Sequence, residues 1–472
     1  MTRVIDKMKI IRLLGIFSIL AFCGCQTVKN ARDIQDNTTP VAGEFTPSAA
    51  ELGLTADKTF SLEELQLIAL KCHPSIRTAI NDVETAALNV KKVKADFLPS
   101  INAGISHKRT TANRNAHHQR SYTDGTWNGS LSLQLMIFDF GKTDAQVRQL
   151  MEIYKAKLQQ LKNARNNVVG EVRKAYFQLN RAIELEAVAK ETVKQFEEHR
   201  DQVKMKKEVG AGTSYDLTKA EVDVYNAILS ENVARNNIDI AWASLTKAIG
   251  LAEKASFKVT NASLKEYSLD VNDLLELANI GNPTLASLKI SEEAASIYVD
   301  KTIADLYPTF SLELGATLSG NSPSLPLIWN LTGLASVTQN IFNGNRNMIA
   351  IQQATLELKN ARASRTSYEQ QLFQLLRTAS LNAQLAQQQF KVAQEVEKQS
   401  KEYFDLVSTQ YSVGKSTALE RTDAQVALSN AEAQVVSAKF DYQDALANIA
   451  TLVGDVPDSN DFTDTDEKPE VK

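Results

Sequence analysis

Glu420 and Asp423 stand three residues apart within the stretch YSVGKSTALERTD at 411–423, just after its turn-forming VGKS. On a helix that spacing sets both carboxylates on one face, where they can present concentrated negative charge. A second chemistry is open to the same region. Thr417 to Glu420, and Thr213 to Asp216 in an earlier turn, fit the S/T-x-x-E/D pattern in which threonine and acid satisfy backbone N–H groups at a helix start. An acid there also opposes the helix dipole favourably. The sequence leaves both roles open. Other candidates are weaker. His107, His117 and His118 share a polar stretch that reads as a solvated loop rather than a metal site, while His73 and His199 stand alone. GAG at 210–212 lacks the strand–loop–helix context and the following Lys-Ser of a phosphate loop. There is no H-E-x-x-H, G-x-S-x-G or paired-cysteine pattern, so neither an enzyme nor a cofactor is expected.

The elements that must position these acids are long rods. None of the ten prolines falls between 99 and 283 or between 326 and 457. Residues 143–206 contain one glycine, Gly170, and place apolar residues at Val147, Leu150, Tyr154, Leu158, Leu161, Ala164, Val168, Val172, Ala175 and Leu179. Steps of 3 and 4 are the heptad signature of a coiled coil. At 1.5 Å per residue such a segment reaches roughly 95 Å. Residues 345–410 repeat the design without glycine or proline.

The repetition extends along the chain. ADFLPS (95–100) matches ADLYPT (304–309), and KCHPSIRTA (71–79) matches IGNPTLASL (280–288), both at an offset of 209. MIFDFGK (136–142) matches NIFNGNR (340–346), and EVGAGTSYDLTKAEV (208–222) matches SVGKSTALERTDAQV (412–426), both at 204. Gly250 pairs with Gly454 in the same order, which makes the chain an internal duplication. The first repeat is expected at 57–254, with a β-hairpin at about 99–138 and long helices at 141–250. The second is expected at 268–454, with its hairpin at about 308–342 and helices at 345–452.

After each second proline the period changes to two. SINAGISH (100–107), SLSLQLMIF (130–138), TFSLELGATL (309–318) and NLTGLASVTQ (330–339) alternate apolar and polar residues, with Trp127 and Trp329 at the expected strand starts. That pattern fits membrane β-strands with interfacial aromatics, or a soluble ribbon with one packed face. The polar stretches 108–126 and 319–326 are expected to be the connecting loops. Four strands cannot close a barrel, and open edges in a bilayer cost several kcal/mol per unsatisfied group, so membrane strands here require several chains.

Arg3, Lys7, Lys9 and Arg12 precede LLGIFSILAF and then CGCQ, the layout of an export signal at 1–24. FCGC resembles a lipobox in which Cys25 would carry lipid, although Phe22 stands where that pattern prefers Leu. That leaves Cys72 as the one unmodified cysteine, expected as a small buried apolar residue. Residues 25–56 read as an extended segment, and 455–472, with seven acids and two lysines, as a disordered tail. A net charge of −4 argues against nucleic-acid binding, and no mature stretch approaches the apolar length of a membrane helix.

HPSIRTA and NPTLASL, LPSI and YPTF, IFDFGK and IFNG, and the paired VGAGTS and VGKSTALERTDA turns together resemble the TolC-like outer-membrane factors of Gram-negative bacteria, over about residues 57–455. The resemblance implies a mixed α and membrane-β fold in which three chains, each giving four strands, share a twelve-stranded barrel continued by an α-helical tunnel in the periplasm. It implies an exit duct for efflux or type I secretion, working with a periplasmic adaptor and, through it, an inner-membrane transporter. Tyr411, Glu420 and Asp423 would line the closed entrance, and Asp216 would join the bonds that hold it shut. Ser416 stands where the family has an arginine, so the lock would be weaker or would use Lys415. Val209, Gly210, Val413 and Gly414 would form the tip that meets the adaptor. From another class, a lipid-tethered periplasmic coiled-coil adaptor or structural protein is the alternative.

Overall fold

The computed structural model describes residue 54 and residues 58–112, 122–210, 212–251, 257–260, 262–321 and 328–456. The signal segment, Cys25, His117, His118 and the acidic tail beyond Val456 lie outside the described residues, as does most of 25–56.

The chain runs β1 (Thr59–Phe60), α1 (Leu62–Cys72), α2 (Pro74–Lys94), β2 (Ser100–Ala112), β3 (Tyr122–Phe138), α3 (Lys142–Glu208) and α4 (Ser214–Ile249). The pattern then repeats as β4 (Lys258–Val259), α5 (Val271–Gly281), α6 (Pro283–Ala304), β5 (Thr309–Gly320), β6 (Ile328–Thr338), α7 (Arg346–Ser412) and α8 (Ala418–Val453). The duplication is metric. Both rods, α3 and α7, are 67 residues long, roughly 100 Å, and both return helices, α4 and α8, are 36. Pro74 and Pro283 open α2 and α6, where the missing N–H of proline leaves no helical bond unmade.

The strands form one antiparallel sheet in the order β2-β3-β5-β6, so the two hairpins pair with each other and both outer edges stay open. Register sorts the side chains. Ile101, Leu133, Leu314 and Gly333 form one row across the sheet, and Ala103, Leu131, Ala316 and Leu331 the next, on one face. The other face carries the rows Asn102, Ser132, Gly315, Thr332 and Gly104, Ser130, Thr317, Asn330. An apolar face and a polar face over four strands is the pattern of a barrel wall between lipid and water. No helix among the described residues is long and apolar enough to cross a membrane.

Two details differ from the sequence reading. The β2–β3 ladder continues to Ala112 opposite Tyr122, so much of 108–126 is strand, and Trp127 lies within β3 rather than at its start. Backbone pairing needs no apolar side chains, and the threonines of this stretch suit a pleated ribbon that outruns the apolar band. Cys72 is half-buried at the end of α1, not fully enclosed.

The core sits midway along the rods. Val168, Val172, Tyr176 and Leu179 of α3 pack with Leu65 of α1, Leu245 and Ile249 of α4, Phe60 of β1 and Phe440 of α8. The Tyr176 hydroxyl is satisfied by the Thr260 carbonyl, next to the parallel β1–β4 pair. In the second repeat Leu372, Leu376, Ala379 and Ala383 of α7 pack with Leu274 and Ala278 of α5. These two clusters fix where the rods sit, and therefore where their far ends meet.

Candidate functional site

At the end away from the sheet, α3 and α7 each stop in a short turn. Gly210 (φ +78°) and Gly414 (φ +76°) take the left-handed conformation that lets a helix end and the chain reverse. Open space surrounds both, so backbone conformation rather than room demands glycine. In the second turn Lys415 N–H donates to the Gln410 carbonyl (2.8 Å) and Gly414 N–H to the Tyr411 carbonyl (3.2 Å), satisfying two C-terminal acceptors of α7. Val209 and Val413, 79% and 64% exposed, form the apolar tips of the turns.

Each return helix then begins with a complete capping box. Thr213 Oγ1 accepts from Asp216 N–H (3.1 Å), and Asp216 Oδ2 accepts from Thr213 N–H (3.3 Å) and hydroxyl (2.7 Å). Thr417 Oγ1 accepts from Glu420 N–H (3.2 Å), and Glu420 Oε2 accepts from Thr417 N–H (2.8 Å). Ser416, in the place of the arginine expected by resemblance, donates its hydroxyl to Glu420 Oε2 (2.6 Å). That hydroxyl first, and the Thr417 groups after it, hold the Glu420 carboxyl below its ordinary range while it stays exposed. Glu420 is therefore a charged, solvent-facing cap. Asp423, one turn on, is also exposed, and its charge adds to burial in pushing the neighbouring Asp223 carboxyl up against the pull of Lys219.

Tyr411 is buried, not open to solvent, within the single chain. Lys206 Nζ lies 3.6 Å from its ring centroid and donates to its carbonyl oxygen (3.4 Å). The His199 ring meets it edge-on at 5.7 Å, and the Arg421 guanidinium sits 5.8 Å away. Lys415, the residue that the lock would use by resemblance, is exposed, and the lysine on Tyr411 is Lys206. Behind this cluster α3 and α8 are joined by further polar contacts: Gln195 with Gln425, Thr192 with Ser429 (3.0 Å), Glu184 with Lys439 (2.7 Å) and Arg181 with Asp441 (2.8 Å). Asp216 lines a cavity of about 90 Å³ with His199, Lys219 and Asp223 on one side and Ala418, Leu419 and Thr422 on the other. The site thus brings together Tyr411, the two caps and Asp423, and adds Lys206, His199 and Arg421. The missed signal was Arg421 and Gln425, polar residues four apart on the buried face of α8.

The family comparison decides the class. Residues 67–251 and 274–455 match the family described as outer membrane efflux protein. The chain belongs to that family. It is similar to the outer membrane protein TolC of Escherichia coli K12, 22% identical over 399 residues, covering 81% of this chain and 80% of the relative. It is similar over a shorter stretch to the alkaline protease secretion protein AprF of Pseudomonas aeruginosa, 25% identical over 205 residues, covering 42% of this chain and 40% of the relative. In fold it is similar to the crystal structure of the CmeC outer membrane channel of Campylobacter jejuni, with a TM-score of 0.71, 20% identity, and coverage of 83% and 85%. The protein is an outer-membrane channel-tunnel for export, with its sheet in the outer membrane and its helices in the periplasm. Members of the family are channels rather than enzymes. The tethered-adaptor alternative gives way to this match.

Proposed function

We propose that three copies of this channel assemble into one duct, with the tip described above as its periplasmic entrance. The observation that carries the proposal is the four-stranded sheet, open at both edges and divided into an apolar and a polar face. Unsatisfied edges in lipid cost several kcal/mol per group, and closure through neighbouring chains removes them. Three sheets of four give a twelve-stranded barrel. The rods support the same assembly. α7 exposes Leu381, Leu385, Val392, Val396 and Tyr403, and α4 exposes Val222, Tyr225, Leu229, Val233 and Ile240. Both rows follow coiled-coil spacing and are exposed in the single chain, and the α4 row of one subunit suits the α7 row of the next.

In such a trimer Glu420 and Asp423 form stacked rings of negative charge at the narrowest point, which favour cations and repel anions. Glu420 serves both as cap and as ring, because its bonds to Ser416 and Thr417 hold it ionised without covering it. Tyr411 and Asp216 hold the hairpins that carry those rings, and Lys206 takes the bonding role proposed for Lys415. Val209, Gly210, Val413 and Gly414 are the contact surface for a periplasmic adaptor, which links the duct to an inner-membrane transporter. Cys25 would add a lipid anchor in the outer membrane. Detergent-solubilised protein should run as a heat-resistant species of three chains. A stable, folded monomer would overturn the assembly.

A further inference from the structure

His199 is the residue of the tip that the functions above do not use. It is 2% exposed, and its Nδ1 has no hydrogen-bond partner. It belongs to α3 in the first repeat, yet it packs edge-on against Tyr411 of α7 in the second. It also lines the cavity of about 90 Å³ between α4 and α8, into which Asp223, with an unpartnered Oδ2, also opens. The charged surroundings come from every packed element. Lys206 of α3 lies on the same Tyr411 ring, Arg421 of α8 flanks it, and Lys219, Asp216 and Asp223 of α4 border the cavity with Tyr215. Glu198 offsets Arg421, and Asp423 acts on Asp223.

We propose that His199 is the positioning residue of the closed tip: its neutral imidazole seats the first repeat's rod on Tyr411, and its protonation releases the two hairpins from each other. The inference rests on reading this tip as the entrance. An imidazolium here would be a fourth cation beside Lys206, Lys219 and Arg421 in a place with little water. Burial first, then those three charges, pull the imidazole from 6.5 to about 4. The sign follows from linkage. A packed state that binds a proton less readily than the opened one is favoured above pH 6.5 and loses that advantage as pH falls towards 4. At pH 5.5 the opening equilibrium rises about tenfold. Asp223 works in the opposite sense, because burial in the packed tip raises its carboxyl, so its protonation favours packing and subtracts from the His199 response. The Glu420 cap is local to α8 and persists in both states.

The test is amide hydrogen exchange on full-length protein in lipid, at pH 7.5 and 5.5, with rates corrected for the intrinsic pH dependence. Wild type should lose protection about tenfold at Phe196–Lys206 and Tyr411–Gln425 on acidification. His199→Gln, which keeps a polar side chain, and His199→Phe, which keeps the ring against Tyr411, should both lose the response to pH. A flat wild-type profile, or the same acid response in both variants, would overturn the role of His199. Bilayer conductance recorded on the same samples separates the two claims. A His199-dependent loss of protection without any current would sink the duct and leave the release intact.

Discussion

The two rods are the same length and follow the same heptads, yet they live in different surroundings. Around the middle they match position for position at the offset of 204. Val168 and Leu372, Val172 and Leu376, Ala175 and Ala379, and Leu179 and Ala383 are all buried. Beyond that point they part. α3 lies between α4 and α8 and goes on burying Val193, Phe196 and His199. At 403, the counterpart of His199, α7 instead carries Tyr403, 47% exposed, in a row with Val392 and Val396. A duplicated sequence has therefore been specialised by position. The first rod is an internal axis, and the second leaves one apolar face exposed.

Substitutions in the two rods should separate these roles. The largest effect is expected from Leu385→Asp/Val392→Asp on the exposed face of α7, which should abolish heat-resistant trimers while leaving the helicity of the single chain unchanged. Equal loss of helicity and trimer would mean that α7 has no reserved face. Leu376→Ala, at a fully buried position, should cost about 2–5 kcal/mol of subunit stability. It should lower the melting temperature by circular dichroism before it affects assembly. Smaller still are the caps: Thr213→Ala and Thr417→Ala should each cost about 0.5–2 kcal/mol, and by similar amounts, because both remove a threonine oxygen that accepts from the acid's backbone N–H. A marked inequality in hydrogen exchange at the two helix starts would show that the second cap carries additional work.

Much of this architecture is legible in the sequence because its signals are periodic. Heptads without proline mark the rods, alternation marks the strands, and the threonine–acid spacing marks both caps. The order β2-β3-β5-β6 was not legible, since pairing β3 with β5 joins strands from separate repeats. The β1–β4 pair was invisible too, because two residues at 59 and two at 258 carry no pattern. At the helical tip, Glu420, Asp423 and Asp216 announce themselves by spacing. Lys206, His199 and Arg421 do not, because what brings them to Tyr411 is the packing of α3 against α7 and α8, more than 200 residues away for Lys206. A lone histidine in a charged rod reads as solvated until the neighbouring helix is in place.

The central claim is that the paired acids of the second turn guard the mouth of an export duct. Planar-bilayer conductance at neutral pH, comparing wild type with Glu420→Ala/Asp423→Ala, tests it most directly. Small, cation-selective currents from wild type, and larger currents without that selectivity from the variant, are the predicted result. Equal cation-selective currents from both proteins would reduce the pair to helix caps, and no current from folded trimers would contradict the duct itself.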